Sequence, residues 1–243
     1  MQNILEKIDK NQQIISSFRP LKKAELAQVK EYYRIGMTYS SNAIEGNSLT
    51  DTETKVVLED GITIGGKPLR DHYEASGHSD AFDFLYKIAK KQELTEAAVK
   101  KFHQLFYHRI DAESAGKYRK IKIFVTDAEH SFPNYDQVPQ LMKKFILSIQ
   151  ELRGKKHPVE LAAIAHKDFV NIHPFVDGNG RVARLLMNLI LLQEGYNIAL
   201  ISPVLRVQYL QAIKKSYRDD RDFIKFIAAA VYETQKDYIR LMK

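Results

Sequence analysis

Apolar residues recur every three or four positions along most of this chain, the spacing that gathers them on one face of a helix. Val99, Phe102, Phe106 and Ile110 form such a stripe between residues 94 and 110. Leu141, Phe145, Ile149 and Leu152 repeat it, as do Leu161, Ile164, Ala165 and Phe169. The stretch from Tyr209 to Leu241 has the same rhythm, and Leu185 to Leu192 is largely apolar. Thr50 and Glu53 have capping-box spacing ahead of Val56, Val57 and Leu58, which predicts a helix start there. One segment breaks the rhythm. Between Lys120 and Thr126, Ile121, Ile123 and Val125 alternate with other residues, a strand signature. Pro133, Asn134 and Pro139 follow at turn-like positions, so a short hairpin is expected. A lone hairpin is marginal, so it should lie against the helices or project beside a site. The pattern predicts a mostly α fold with no internal repeat, its softest boundary at Gly61 to Pro68.

Composition adds bounds. At 243 residues the chain can bury a substantial core as one large domain, or as a domain with a closely attached extension. No apolar run is long enough to span a membrane. The start, Met-Gln-Asn-Ile-Leu-Glu-Lys, has no apolar segment of the signal-peptide kind. Cysteine is absent, which excludes disulfides and thiolate metal sites and fits a reducing compartment; a cytoplasmic protein is expected. The net charge of +7 could favour acidic partners. Its densest clusters, Lys155-Lys156 and Lys214-Lys215, are short and read as solvated helix faces.

Two apparent signals carry little. Gly61 to Pro68 nearly spells a Walker A loop, but Pro68 stands where a magnesium-binding hydroxyl is required. His157, His166 and His173 lack the spacing of a helical zinc pair, and His166 is expected to be packed or hydrogen-bonded. His103 and His108, on a predicted helix, are given no special role.

The chemistry concentrates in residues 173–184, His-Pro-Phe-Val-Asp-Gly-Asn-Gly-Arg-Val-Ala-Arg. Gly178 and Gly180 permit backbone angles at which successive N–H groups converge on an anion. A helix beginning near Arg181 would aim its free N–H groups at the same point. Asn179 can add its amide, and Arg181 and Arg184 share a face able to grip one polyphosphate. Asp177 suits magnesium, which takes a carboxylate together with phosphate oxygens. His173 can accept the proton of an attacking hydroxyl at neutral pH. Phe175 is expected in the core, anchoring the loop. An incidental helix-to-helix turn could explain any one of these residues, but not all of them within twelve positions.

This segment resembles the Fic family signature, His-x-Phe-x-(Asp/Glu)-Gly-Asn-Gly-Arg-x-x-Arg, and matches it at every defined position. The resemblance implies a Fic-type helical bundle that transfers AMP from Mg-ATP to a protein Ser, Thr or Tyr, releasing pyrophosphate. By motif position His173 is the general base and Asp177 the magnesium ligand. Gly178, Asn179 and Gly180 cradle the α-phosphate, and Arg181 and Arg184 hold the β- and γ-phosphates. Asn179 and Arg181 count among the catalytic residues with His173 and Asp177. Gly116-Lys117-Tyr118-Arg119 through Pro139 is similar to the family's flap (about 117–139), a hairpin that docks the target protein by main-chain pairing. The implied division is an N-terminal helical region, 1–90, and a catalytic core, 91–243. The tail departs from related sequences at Arg218-Asp219-Asp220-Arg221-Asp222, where a Gly-Asp pair and a proline are common.

Upstream, Ser41-Asn42-Ala43-Ile44-Glu45-Gly46 resembles the family's inhibitory motif, (Ser/Thr)-x-x-x-Glu-(Gly/Asn). Read without the resemblance, it is a surface glutamate with Gly46 as a C-cap. On a helix Ser41 and Glu45 share a face. If that face meets the site, Glu45 pairs with Arg184 and competes with the γ-phosphate. The resulting expectation is an autoinhibited protein adenylyltransferase with ATP as substrate, magnesium, and a target protein on the flap. Self-modification and a homodimer are left open, and neither a membrane nor nucleic acid is expected. Three alternatives remain: removal of AMP with Glu45 directing water, transfer of another phosphate-containing group, and a basic nucleic-acid-binding regulator with a silent nucleotide fold.

Overall fold

The computed structural model describes residues 1–90, 93–123 and 131–243. Among these, ten α-helices and one 3-10 turn account for all regular structure. The expected stripes appear as α5 (Glu96–Tyr107), α6 (Val138–Leu152) and α7 (Pro158–Ile172). Each buries the predicted face, with Val99, Phe102, Phe106, Phe145, Ile149 and Phe169 inside. Thr50 caps α3 (Asp51–Glu59) reciprocally with Glu53, as its spacing predicts.

The apolar run after the motif becomes α8 (Asn179–Gln193), the central helix. Leu185, Leu186, Met187, Leu189, Ile190 and Leu191 are all buried, so neighbours surround it. A helix apolar on every side is stable only in that position. It pairs with α7 and also meets α4 (Leu69–Ile88), α5 and α2 (Lys23–Ile44). The loop Gly61 to Pro68 joins α3 to α4. The helical C-terminal stretch divides into α9 (Arg206–Ser216) and α10 (Arg221–Leu241). Their junction holds the unusual Arg218 to Asp222 sequence, where Asp219 accepts from the Arg221 side chain and Asp220 pairs with Lys167 on α7. At the other end of the chain, α1 (Gln2–Ser17) lies along α10.

The hairpin expectation is corrected in part. No strand occurs among the described residues, and Lys120 to Ile123 is irregular. Phe124 to Thr126 fall outside the described residues. Within the described part the flanks meet through Arg119, whose buried side chain donates to the carbonyls of Ile121 (3.1 Å) and Pro133 (2.6 Å), a side-chain bond where alternation alone predicts main-chain pairing. No helix of the described residues is long and apolar enough to cross a membrane.

Candidate active site

Residues 173–178 form the turn between α7 and α8. The α7 helix stops because His173 takes a left-handed conformation (φ 51°, ψ 61°), which side-chain-bearing residues rarely adopt. Surrounding bonds hold it there. His173 N donates to Phe169 O (3.0 Å), Arg119 Nε donates to His173 O (2.9 Å) and Arg119 N to Pro174 O (2.9 Å). Phe175 is buried, as expected, and stacks on His103 at 3.8 Å between ring centroids. Gly178 (φ 74°) begins α8, where a Cβ would stand 2.9 Å from the Phe106 ring.

Two side chains at this loop have partners that the sequence does not announce. Asn179 turns its side-chain amide onto the turn itself. Its Oδ1 accepts from Phe175 N (3.0 Å) and its Nδ2 donates to Phe175 O (2.9 Å), so it staples the turn from within. A buried carboxamide is costly unless paired, and the turn's own main chain supplies both partners. His103, given no role from sequence, is buried under the turn. Its Nδ1 accepts from Gly116 N (2.8 Å), so Nε2 carries the proton donated to Asp177 O (3.1 Å). His108 stays at the exposed end of α5, bonded to Leu105 O.

The α8 N-terminus then gathers charge. The first bond inside this helix runs from Val182 N to Gly178 O, so the N–H groups of Asn179, Gly180 and Arg181 precede the ladder. Asp177 accepts from Gly178 N through Oδ1 (2.6 Å) and from Arg70 Nη2 through Oδ2 (2.6 Å). Desolvation pushes its carboxyl up, but Arg181, the Gly178 N–H and Arg70 outweigh that and hold it below the usual range. Arg181 pairs with Glu74 (3.2 Å) and Asp177 (3.4 Å) and lies 4.4 Å over the Phe106 ring. Its Nε is buried with no acceptor among the described residues.

Arg184 is 3% exposed and held by four hydrogen bonds to protein groups. Nε donates to Ser41 Oγ (2.8 Å), Nη2 to Ser41 O (2.8 Å) and Glu45 Oε1 (2.7 Å), and Nη1 to Tyr209 OH (3.0 Å). The Tyr209 hydroxyl in turn bonds to His166 Nε2 at 2.8 Å, which explains that buried histidine. Ser41 lies in the last turn of α2, with Glu45 as its C-cap and Gly46 following at φ 98°. A carboxylate at a helix C-terminus is unfavourable. Here Arg206 Nε caps Ile44 O (2.6 Å), and Glu45 faces the positive end of α8. Its carboxylate lies against Gly180, where any Cβ would collide with Oε1. Desolvation pushes Glu45 up, while Arg184 and Arg181 prevail and keep it ionised.

His173 completes the group. Its Nδ1 contacts Val170 O (3.3 Å), which leaves Nε2 as the acceptor. Burial lowers its pKa to about 4, so the imidazole is neutral at pH 7. The Phe132 ring lies 4.4 Å away. A groove of about 650 Å³ is lined by Pro133, Gln137, Lys144, Asp168, Asn171 and Ile172, the last preceding His173 in the chain. Among the described residues, no cluster of three or more His, Cys, Asp or Glu could hold a resident metal ion. The single, partly exposed Asp177 fits a magnesium ion that brings most of its ligands as phosphate and water oxygens.

Arg70, Glu74, His103 and Arg119 are the site residues that sequence reasoning passed over. Arg70 and Glu74 were visible as an i, i+4 pair, but such pairs usually decorate solvated faces.

Residues 93–191 match the model of the Fic/DOC family. A protein adenylyltransferase Fic of Drosophila grimshawi is 32% identical over 238 residues, covering 97% of this chain and 49% of its own length. The chain spans about half the length of the curated relatives it matches. Among solved structures, Fic-1 (aa134–508) from C. elegans superposes with a TM-score of 0.88 at 28% identity, over 99% of this chain and 72% of that one. A Fic domain containing signalling protein from Bacteroides thetaiotaomicron has the same fold, with a TM-score of 0.89 at 24% identity over 98% and 96% of the two chains.

Proposed function

The chain belongs to the Fic/DOC family, and we propose that it is a protein adenylyltransferase restrained by its own Glu45. A Ser, Thr or Tyr hydroxyl of a target protein attacks the α-phosphorus of ATP. The new O–P bond forms as the bond to pyrophosphate breaks. His173 Nε2, neutral at pH 7, takes the hydroxyl proton. The free N–H groups at the start of α8 receive the α-phosphate oxygens, and Arg181 and Arg184 take the phosphates beyond. Asp177 would supply one ligand to a magnesium ion arriving with the nucleotide, and that ion's charge would ease departure of pyrophosphate. The groove along Pro133 and Gln137 supports entry of the target segment from the flap side.

The observation that carries the restraint is the 2.7 Å pair between Arg184 and Glu45, with the Glu45 carboxylate pressed against Gly180. While Ser41 and Glu45 hold Arg184, the γ-phosphate has no clamp. An anion already lies beside the cradle as well, so ATP settles with its α-phosphorus out of line. Misplacement of reacting atoms by about one ångström costs a rate factor of about 100. Glu45→Gly should therefore incorporate AMP about 100-fold faster than wild type with labelled ATP, read on added protein or as self-modification. His173→Ala in the same background should abolish the signal. Equal incorporation by Glu45→Gly and wild type would end the autoinhibition reading.

A further inference from the structure

Glu74 projects from α4 toward the start of α8, and its side chain is only 7% exposed. A buried carboxylate persists only where its oxygens are paired. Oε1 stands 3.2 Å from Arg181 Nη1 and 3.1 Å from Arg70 Nε, and Oε2 accepts from Asn47 Nδ2 at 3.0 Å. Arg181 meets Glu74 with one terminal nitrogen and Asp177 with the other, while the Phe106 ring supports its flat face. Of these contacts, Glu74 makes the shorter ionic one and comes from a helix outside the motif. A long guanidinium side chain does not keep one direction unaided, and catalysis depends on direction more than on charge.

We propose that Glu74 is a positioning residue of the transfer site, orienting the Arg181 guanidinium toward the nucleotide phosphates. The identity of what Arg181 binds rests on the adenylyltransferase reading; the orientation of Arg181 by Glu74 does not. Replacing Glu74 by Gln removes a negative charge beside Arg181, so attraction for phosphate increases while direction is lost. A residue that only stabilised the fold would show no such division.

The test uses Glu74→Gln and Glu74→Asp in the full chain. Arginine side-chain NMR, with Arg181→Lys for assignment, should show slow guanidinium rotation at Arg181 in wild type. Rotation should become fast in Glu74→Gln and intermediate in Glu74→Asp. In the Glu45→Gly background, Glu74→Gln should lower kcat by about 10- to 100-fold without raising KM for ATP. Unchanged Arg181 rotation in Glu74→Gln overturns the proposal at any level of activity, and so does a kcat within two-fold of the parent. If Glu45→Gly itself incorporates no AMP, the adenylyltransferase reading fails, and the rotation measurement still decides for or against Glu74.

Discussion

Individual residues in the motif turn divide their labour differently from the way their types suggest. His173, Asp177 and the two arginines have the chemistry that the sequence announces, but Asn179 is committed to main-chain groups of Phe175. Its removal leaves a buried N–H and a buried carbonyl without partners, each costing about 1–3 kcal/mol. Asn179→Ala should therefore lose about 2–6 kcal/mol in urea unfolding. A loss below about 1 kcal/mol would contradict the staple. Residue type is legible in a sequence, whereas the direction of a side chain depends on neighbours far along the chain. For Arg184 those neighbours are Ser41, Glu45 and Tyr209, contributed by α2 and α9.

Between elements, α4 is the scaffold that brings Arg70 and Glu74 to the site, and its approach to α5 depends on Gly77. A Cβ there would collide with the Phe106 carbonyl, which is backbone and has little room to yield. Gly77→Ala should force the helices apart and cost about 1–3 kcal/mol. A thermal melt should move down by several degrees; an unchanged melt would show that the crossing can absorb a methyl group. The helices α5 and α6 were legible, because stripes of Val99, Phe102 and Phe106 or of Phe145 and Ile149 need a buried face. The division of the stretch from Tyr209 to Leu241 into α9 and α10 was not, since periodicity runs on across the break. At Lys120 to Ile123 alternation misled, because period two describes an extended chain whether or not a partner strand pairs with it.

At the scale of the whole molecule, four histidines whose surroundings disfavour the charged form give stability a definite pH dependence. Burial lowers the pKa of His78 to about 3 and of His103 and His173 to about 4, and puts His166 well below its usual value. The unfolded chain protonates these groups near pH 6.5, while the native state refuses the protons. Their neutral packing is therefore fully compatible with folding above pH 6.5, and stability falls as pH drops from there toward 4. Each group contributes a slope of up to about 1.4 kcal/mol per pH unit. Glu45 and Asp177, held below their usual values, add losses of the same sign once pH falls below the normal carboxylate range. Asp168, raised by burial, opposes them. Denaturant midpoints measured from pH 7 to pH 4 should decline steadily, and a flat profile would mean that the surroundings of these histidines do not disfavour the charged form. By itself the sequence determined the helical class, the motif at 173–184 and the presence of Ser41 and Glu45 upstream, because periodicity and residue type are local properties. Only the tertiary structure decided that Glu45 meets Arg184, that Glu74 and Arg70 frame Arg181 and Asp177, and that His103 and Arg119 hold the turn. Those pairings join residues up to 139 positions apart, and packing alone selects which charges meet.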